Sequence, residues 1–202
     1  MPANICHGYG EHMTYDEIFA MGRSFDQFLE GTVANGELWH ALARRAVHNA
    51  PADHPIAAVS GQWRLLVIAD DWCGDAVNVL PVVARLASSA NIELRIVGRD
   101  EHTGLMDRHL TKGSRSIPVV ILLDREGRPR GWWGPRPRPL QDWFDRAGRP
   151  LPKEERYREL RRWYARDRGD TIASEIAALI RCGASAAQNS YRGTEPCAEL
   201  AA

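Results

Sequence analysis

The chain has 202 residues, 44% of them hydrophobic, with 26 acidic and 26 basic side chains and a formal net charge of zero. That length and composition suit one compact domain with additions, or at most two small ones. Balanced charge offers no general attraction to nucleic acid or anionic lipid, and no apolar run approaches the ~20 residues that span a bilayer.

The N-terminal stretch MPANICHGYGEHMTYDE is polar and mixed in charge. It lacks the apolar core of a secretory signal, so cytoplasmic residence is the expectation. Thr14 followed by Glu17 has the spacing of a capping box and marks a helix start. Ile18, Met21, Phe25 and Phe28 keep helical spacing, with Gly22 dividing the stretch into two short helices. NGELWHALARRAVHNA follows as a helix with Leu38, Leu42 and Ala46 on one face, and PADHP at 51–55 ends it because proline lacks an amide donor.

WRLLVIAD at 63–70 carries an unbroken apolar run from Leu65 to Ala69 and reads as a strand buried on both faces. GDAVNVLPVVARLASS reads as a helix with a kink at Pro81. IELRIVG at 92–98 alternates and reads as a second strand, completing a parallel crossover unit. TGLMDRHL is a short helix. IPVVILLD at 117–124 is a third strand, and REG turns it into RPRGWW, a fourth strand antiparallel to the third. RPLQDWFDRA is a helix. Beyond Pro150 come KEERYRELRRWYARDR, a charged helix anchored by Leu160 and Tyr164, and TIASEIAALIRC, a helix with Ile172, Ile176, Ala177 and Ile180 on its apolar face. Gly183 is the expected stop of that helix, and the remaining tail has no periodicity.

Four cysteines, Cys6, Cys73, Cys182 and Cys197, stand far apart in the sequence. None has the two-to-four-residue spacing of a metal site, and His102 and His109, seven apart, suggest none either. No metal and no cofactor is expected. A structural disulfide is not expected in a reducing cytosol.

The stretch from 62 to 147 resembles thioredoxin. A strand ends at ADDWCG, with Cys73 at the start of the next helix. Pro81 falls where that family has a helix-kinking proline. SIPVV resembles the segment that holds the family's cis-proline, here Pro118. The hairpin VVILLDREGRPRGWWG ends at Gly134, where the family carries a glycine near its active site. The resemblance implies a three-layer α/β/α fold around a central mixed sheet of about four strands, with N- and C-terminal helical extensions. The boundaries read as a helical extension at 1–58, a thioredoxin-like domain at 59–148, packing helices at 149–183 and a flexible tail at 184–202. The flanking helices are similar to those of a bacterial group with a WCGD-type, single-cysteine motif. Two features depart from thioredoxin itself. Ala76 stands where the second motif cysteine belongs. The buried acid of the strand before the motif is missing from LLVIA, and Asp70 and Asp71 follow the strand instead.

Disulfide exchange needs a thiolate. A helix N-terminus at Cys73, with Arg136 next to Gly134, favours one. Asp70, Asp71 and Asp75 oppose it, and Asp75 is expected to take some of the first-turn amides. The balance is a modest depression of the Cys73 pKa or none. With alanine at 76 the dithiol cycle is closed, and an adduct on Cys73 waits for another thiol, a small outside one or, if folded nearby, Cys6, Cys182 or Cys197. The first reading is therefore a single-cysteine thiol-disulfide oxidoreductase. Cys73 is the nucleophile, and Trp72, Gly74, Asp75, Ile117, Pro118, Gly134 and Arg136 shape the substrate groove. Its partners are a protein or small-molecule disulfide and glutathione or another low-molecular-weight thiol, with no nucleic acid and no membrane. The alternative is a redox-inactive thioredoxin-fold binding or adaptor module, which the added helices and the altered motif also fit. Arg128, Arg130, Arg136 and Arg138 in RPRGWWGPRPRP form either an anion-binding patch or a solvated hairpin edge protected by charge and proline.

Overall fold

The computed structural model describes residues 13–49 and 63–189. The helix stop at PADHP, the positions of Cys6 and Cys197 and the far tail lie outside the described residues. The elements are α1 (Tyr15–Met21), α2 (Phe25–Glu30), α3 (Gly36–Asn49), β1 (Arg64–Ile68), α4 (Ala76–Ser89), β2 (Glu93–Val97), α5 (Thr103–Met106), β3 (Val119–Leu123), β4 (Pro129–Trp133), α6 (Arg138–Trp143), a π-helical turn (Phe144–Gly148), α7 (Lys153–Asp167) and α8 (Asp170–Asn189).

A four-stranded sheet runs in the order β2-β1-β3-β4. β1 and β2 are parallel, with α4 crossing between them, and β3 lies antiparallel to both β1 and β4. β3 is buried at every position, and β1 at all but its first. These are the two central strands, and their unbroken Leu, Ile and Val content is what a sheet covered on both faces requires. Each such side chain removed from water stabilises by roughly 1.5–3 kcal/mol. On one face Gly131 and Leu122 meet α8 so closely that a Cβ on Gly131 would press on Leu179. α4 lies against α8 and α3, and eight of its fourteen residues are buried. On the other face α1 brings Asp16 to within 2.7 Å of Arg64 and the Phe19 ring under the Arg64 guanidinium.

The capping box at Thr14 forms, and α1 stops at Gly22. The chain then pairs with the outer edge of β2, Arg23 and Ile96 exchanging two backbone hydrogen bonds of 2.8–2.9 Å. The N-terminal helices thus cover a sheet edge that would otherwise be open. In α3 the buried anchor is Trp39, not the expected Leu38, which is 43% exposed. Gly183 does not end α8, which continues through it to Asn189. A Cβ at Gly183 would collide with Leu122, so the glycine serves close helix–sheet packing and not a stop. The expected tail beginning at 184 therefore starts as helix. Among the described residues no helix is long and apolar enough to cross a membrane.

Candidate functional site

β1 ends at Ile68, and a short turn carries Asp70, Asp71, Trp72 and Cys73 into α4. The helix begins at Ala76, three residues beyond the thiol and not at it. Cys73 is 7% exposed. Its S–H donates to the Ile117 carbonyl at 3.3 Å, and the Ala76 amide donates to Sγ at 3.4 Å. The Ile117–Pro118 peptide is cis, as is Gly134–Pro135. Gly134 has a φ of +142°, and a Cβ there would run into the Pro118 carbonyl. Only glycine fits, which fixes the loop after β4 against the loop before β3.

Burial, reinforced by the Asp75 charge, pushes the Cys73 thiol up to about 11, against the amides of Ala76 and Asp75 and the Arg136 charge. This overturns the expected depression or neutrality, because desolvation outweighs the helix terminus once the sulfur is covered. The three nearby acids act differently from one another. Asp71 accepts the Val33 and Ala34 amides at 2.8 Å, and its carbonyl accepts the Trp39 indole N–H at 2.9 Å. It ties the N-terminal helices to the motif turn. Asp70 is half-buried, and its carboxyl is raised, chiefly by burial. Asp75 takes no first-turn amide. Its carboxylate turns inward, bonded by the Tyr164 hydroxyl at 2.9 Å and paired with Arg136 at 2.6 Å. Burial raises the Asp75 carboxyl, opposed by Arg136 and by the Tyr164 hydrogen bond. Both carboxylate oxygens are engaged as acceptors, which is the arrangement a buried charge requires. Arg136 also donates to Gln141 at 3.0 Å and stands 4.1 Å over the Phe144 ring. It is therefore spent on the interior, and its charge is largely matched before it reaches the sulfur.

A cleft of about 470 Å³ opens above Cys73. Trp72, Cys73, Gly74, Asp75, Ile117 and Arg136 all line it. Pro118 and Gly134 do not; they brace each other behind Ile117. Trp72 is 50% exposed, with the Arg99 guanidinium 4.9 Å from its ring. Of the four arginines in RPRGWWGPRPRP, Arg128 and Arg130 both bind Asp124 and Arg136 pairs with Asp75. The cations that do face the cleft, besides Arg136, are Arg99, Arg115, Lys153 and Arg161, and sequence reasoning passed over all four. The signal on α7 was present. Lys153, Tyr157, Leu160, Arg161 and Tyr164 share one face at helical spacing, but nothing in the sequence said that this face met the motif. Tyr157 lies 3.9 Å from where a Cβ on Gly74 would stand, and Tyr164 reaches Asp75. Among the described residues no group of three or more His, Cys, Asp or Glu side chains could hold a metal. Cys73 and Cys182 form no disulfide with each other.

A family model described as Thioredoxin matches residues 22–149. Two solved structures are similar in fold: a protein of unknown function from Pseudomonas aeruginosa and an HIV epitope-scaffold. Each is 22% identical with a TM-score of 0.67, over 84% of this chain and 98% of the other. At that identity the likeness establishes the fold alone. No curated protein matches the chain.

Proposed function

The chain belongs to the thioredoxin family, and from that premise we propose that it is a single-cysteine member carrying out thiol–disulfide exchange through Cys73. The observation that carries this reading is the setting of the sulfur. It stands on the floor of an open cleft, between the Ala76 amide at the start of α4 and the Ile117 carbonyl of the cis-proline loop. Exchange at that sulfur proceeds by attack of its thiolate on a protein or small-molecule disulfide, releasing the other half as a thiolate. Ala76 is fully buried and has no sulfur to offer. The adduct is therefore cleared by a second thiol, with glutathione or another low-molecular-weight thiol of a reducing cytoplasm as the expected class.

A thiol with a pKa of about 11 is about 10⁻⁴ ionised at pH 7, against about 3% for an ordinary cysteine. The stronger nucleophilicity of a basic thiolate recovers roughly tenfold of that loss. Exchange is accordingly slow at neutral pH and accelerates through the alkaline range. The same burial favours a second reading, a redox-silent binding module in which Cys73 only packs. Intact-mass spectrometry after incubation with a small disulfide at pH 7–10 separates the two. In a chain lacking Cys6, Cys182 and Cys197, exchange predicts one adduct, at Cys73, increasing with pH and lost when Cys73→Ser is added. Absence of an adduct across that range would leave the binding module.

A further inference from the structure

The cleft has two walls of different origin. The motif turn, Arg99 and Arg115 come from the segment matched by the family model, which ends at residue 149. The facing wall is α7, which lies wholly beyond that segment. Five cationic side chains line the cleft against one carboxylate, Asp75, which Arg136 already neutralises. In a chain of zero net charge this is a local concentration of positive charge.

The four remaining cations differ in their commitments. Arg99 and Arg115 hold the exposed Asp100 and Asp107, neither of which lines the cleft. On α7, Arg162 pairs with Glu159. Lys153 and Arg161, which turn to the cleft, have no carboxylate within ion-pair distance among the described residues. Cations from the family segment and from α7 thus line the cleft that holds Cys73, two of them without an anion among the described residues. The cleft volume, about 470 Å³, falls in the range of small-molecule sites, roughly 300–1,000 Å³.

We infer that the ligand of this cleft is a small dianion, a low-molecular-weight disulfide with a carboxylate on each side of its sulfur pair. Lys153 and Arg161 determine that specificity. One carboxylate meets Arg99 and Arg115, the other meets Lys153 and Arg161, and the sulfur pair lies over Cys73. The chemistry rests on the exchange reading; the binding does not. In the exchange step the Cys73 thiolate forms a bond to one ligand sulfur, and the ligand S–S bond breaks. The second half leaves as a thiolate. A carboxylate-bearing thiol of the same class then attacks the adduct, forms a new small disulfide and returns Cys73 as a thiolate. No net oxidant is consumed.

The test uses the full chain with Cys73→Ser and two thioethers that cannot exchange: thiodipropionate, a dianion, and thiodiglycol, its neutral counterpart. Calorimetric titration is expected to give saturable binding of thiodipropionate at least about tenfold tighter than thiodiglycol, from two charge contacts. Added salt is expected to weaken that preference, and Lys153→Glu with Arg161→Glu is expected to remove it. Both positions are exposed, and circular dichroism confirms that the variant is folded. Equal affinities, or a preference that survives the double substitution, would overturn the dianion site. Incubation of the unaltered chain with dithiodipropionate and with hydroxyethyl disulfide tests the chemistry separately. No Cys73 adduct from either, with thiodipropionate still bound, would overturn the exchange reading and leave the dianion site standing. Adducts forming at equal rates would do the reverse.

Discussion

At the floor of the cleft, Arg136 is held against Asp75 at 2.6 Å with both side chains almost fully buried. At the rim, Lys153 and Arg161 are exposed on α7 without such a partner among the described residues. The same kind of charge does two kinds of work. A buried ion pair contributes little net stability when intact, because desolvating both ions offsets their attraction, but removing one partner is costly. An exposed cation costs nothing to leave alone and remains available to a ligand. The floor therefore bears on stability and on the state of the thiol, while the proposed ligand is recognised at the rim.

The largest break in that comparison comes from Asp75→Ala. It strands the Arg136 charge and the Tyr164 hydroxyl in the interior, and chemical denaturation should show a loss of about 3–5 kcal/mol. The next comes from pH. Folded Cys73 keeps its proton up to about 11, whereas the unfolded chain loses it near ~8.5. Between those values the unfolded state binds fewer protons, so stability falls as pH rises, by roughly 3 kcal/mol in total. Urea melts at pH 8 and pH 11 should show this decline in the native sequence and a shallower one in Cys73→Ala. Tyr164→Phe removes one donor from the buried carboxylate while Arg136 stays, and a loss of about 2 kcal/mol is expected in the same measurement. Lys153→Glu and Arg161→Glu sharpen the contrast from the other side, with stability changes within about 0.5 kcal/mol. A rim substitution that destabilised as much as Asp75→Ala would erase the distinction.

The sequence carried the fold in its apolar runs. Leu65–Ala69 and Val119–Leu123 had to be buried on both faces, and only a covered sheet allows that. The order of Cys73, Pro81, Pro118 and Gly134 carried the family. The partners of Asp75 were not legible. An acid two residues beyond a motif cysteine looks like a helix-end acid, and its use as a buried ion depends on Arg136 and Tyr164, 61 and 89 residues further along. The state of the thiol was hidden for the same reason. Helix-end position can be read from spacing, but desolvation depends on how far the loops of Ile117 and Asp75 close over the sulfur. α7 shows the limit most plainly. Its cationic face could be read from periodicity, whereas its docking across the cleft involves the burial of Leu160 and Tyr164 and the Tyr164–Asp75 hydrogen bond.

The most direct test of this division is the pH dependence of Cys73 alkylation by iodoacetamide in a chain lacking Cys6, Cys182 and Cys197, compared with the same chain carrying Asp75→Asn. The account predicts a midpoint near 11 in the first. It predicts a lower midpoint in the second, because the substitution removes a negative charge beside the sulfur and leaves Arg136 in place. A midpoint at or below ~8.5 in the first chain, or no difference between the two, would contradict it.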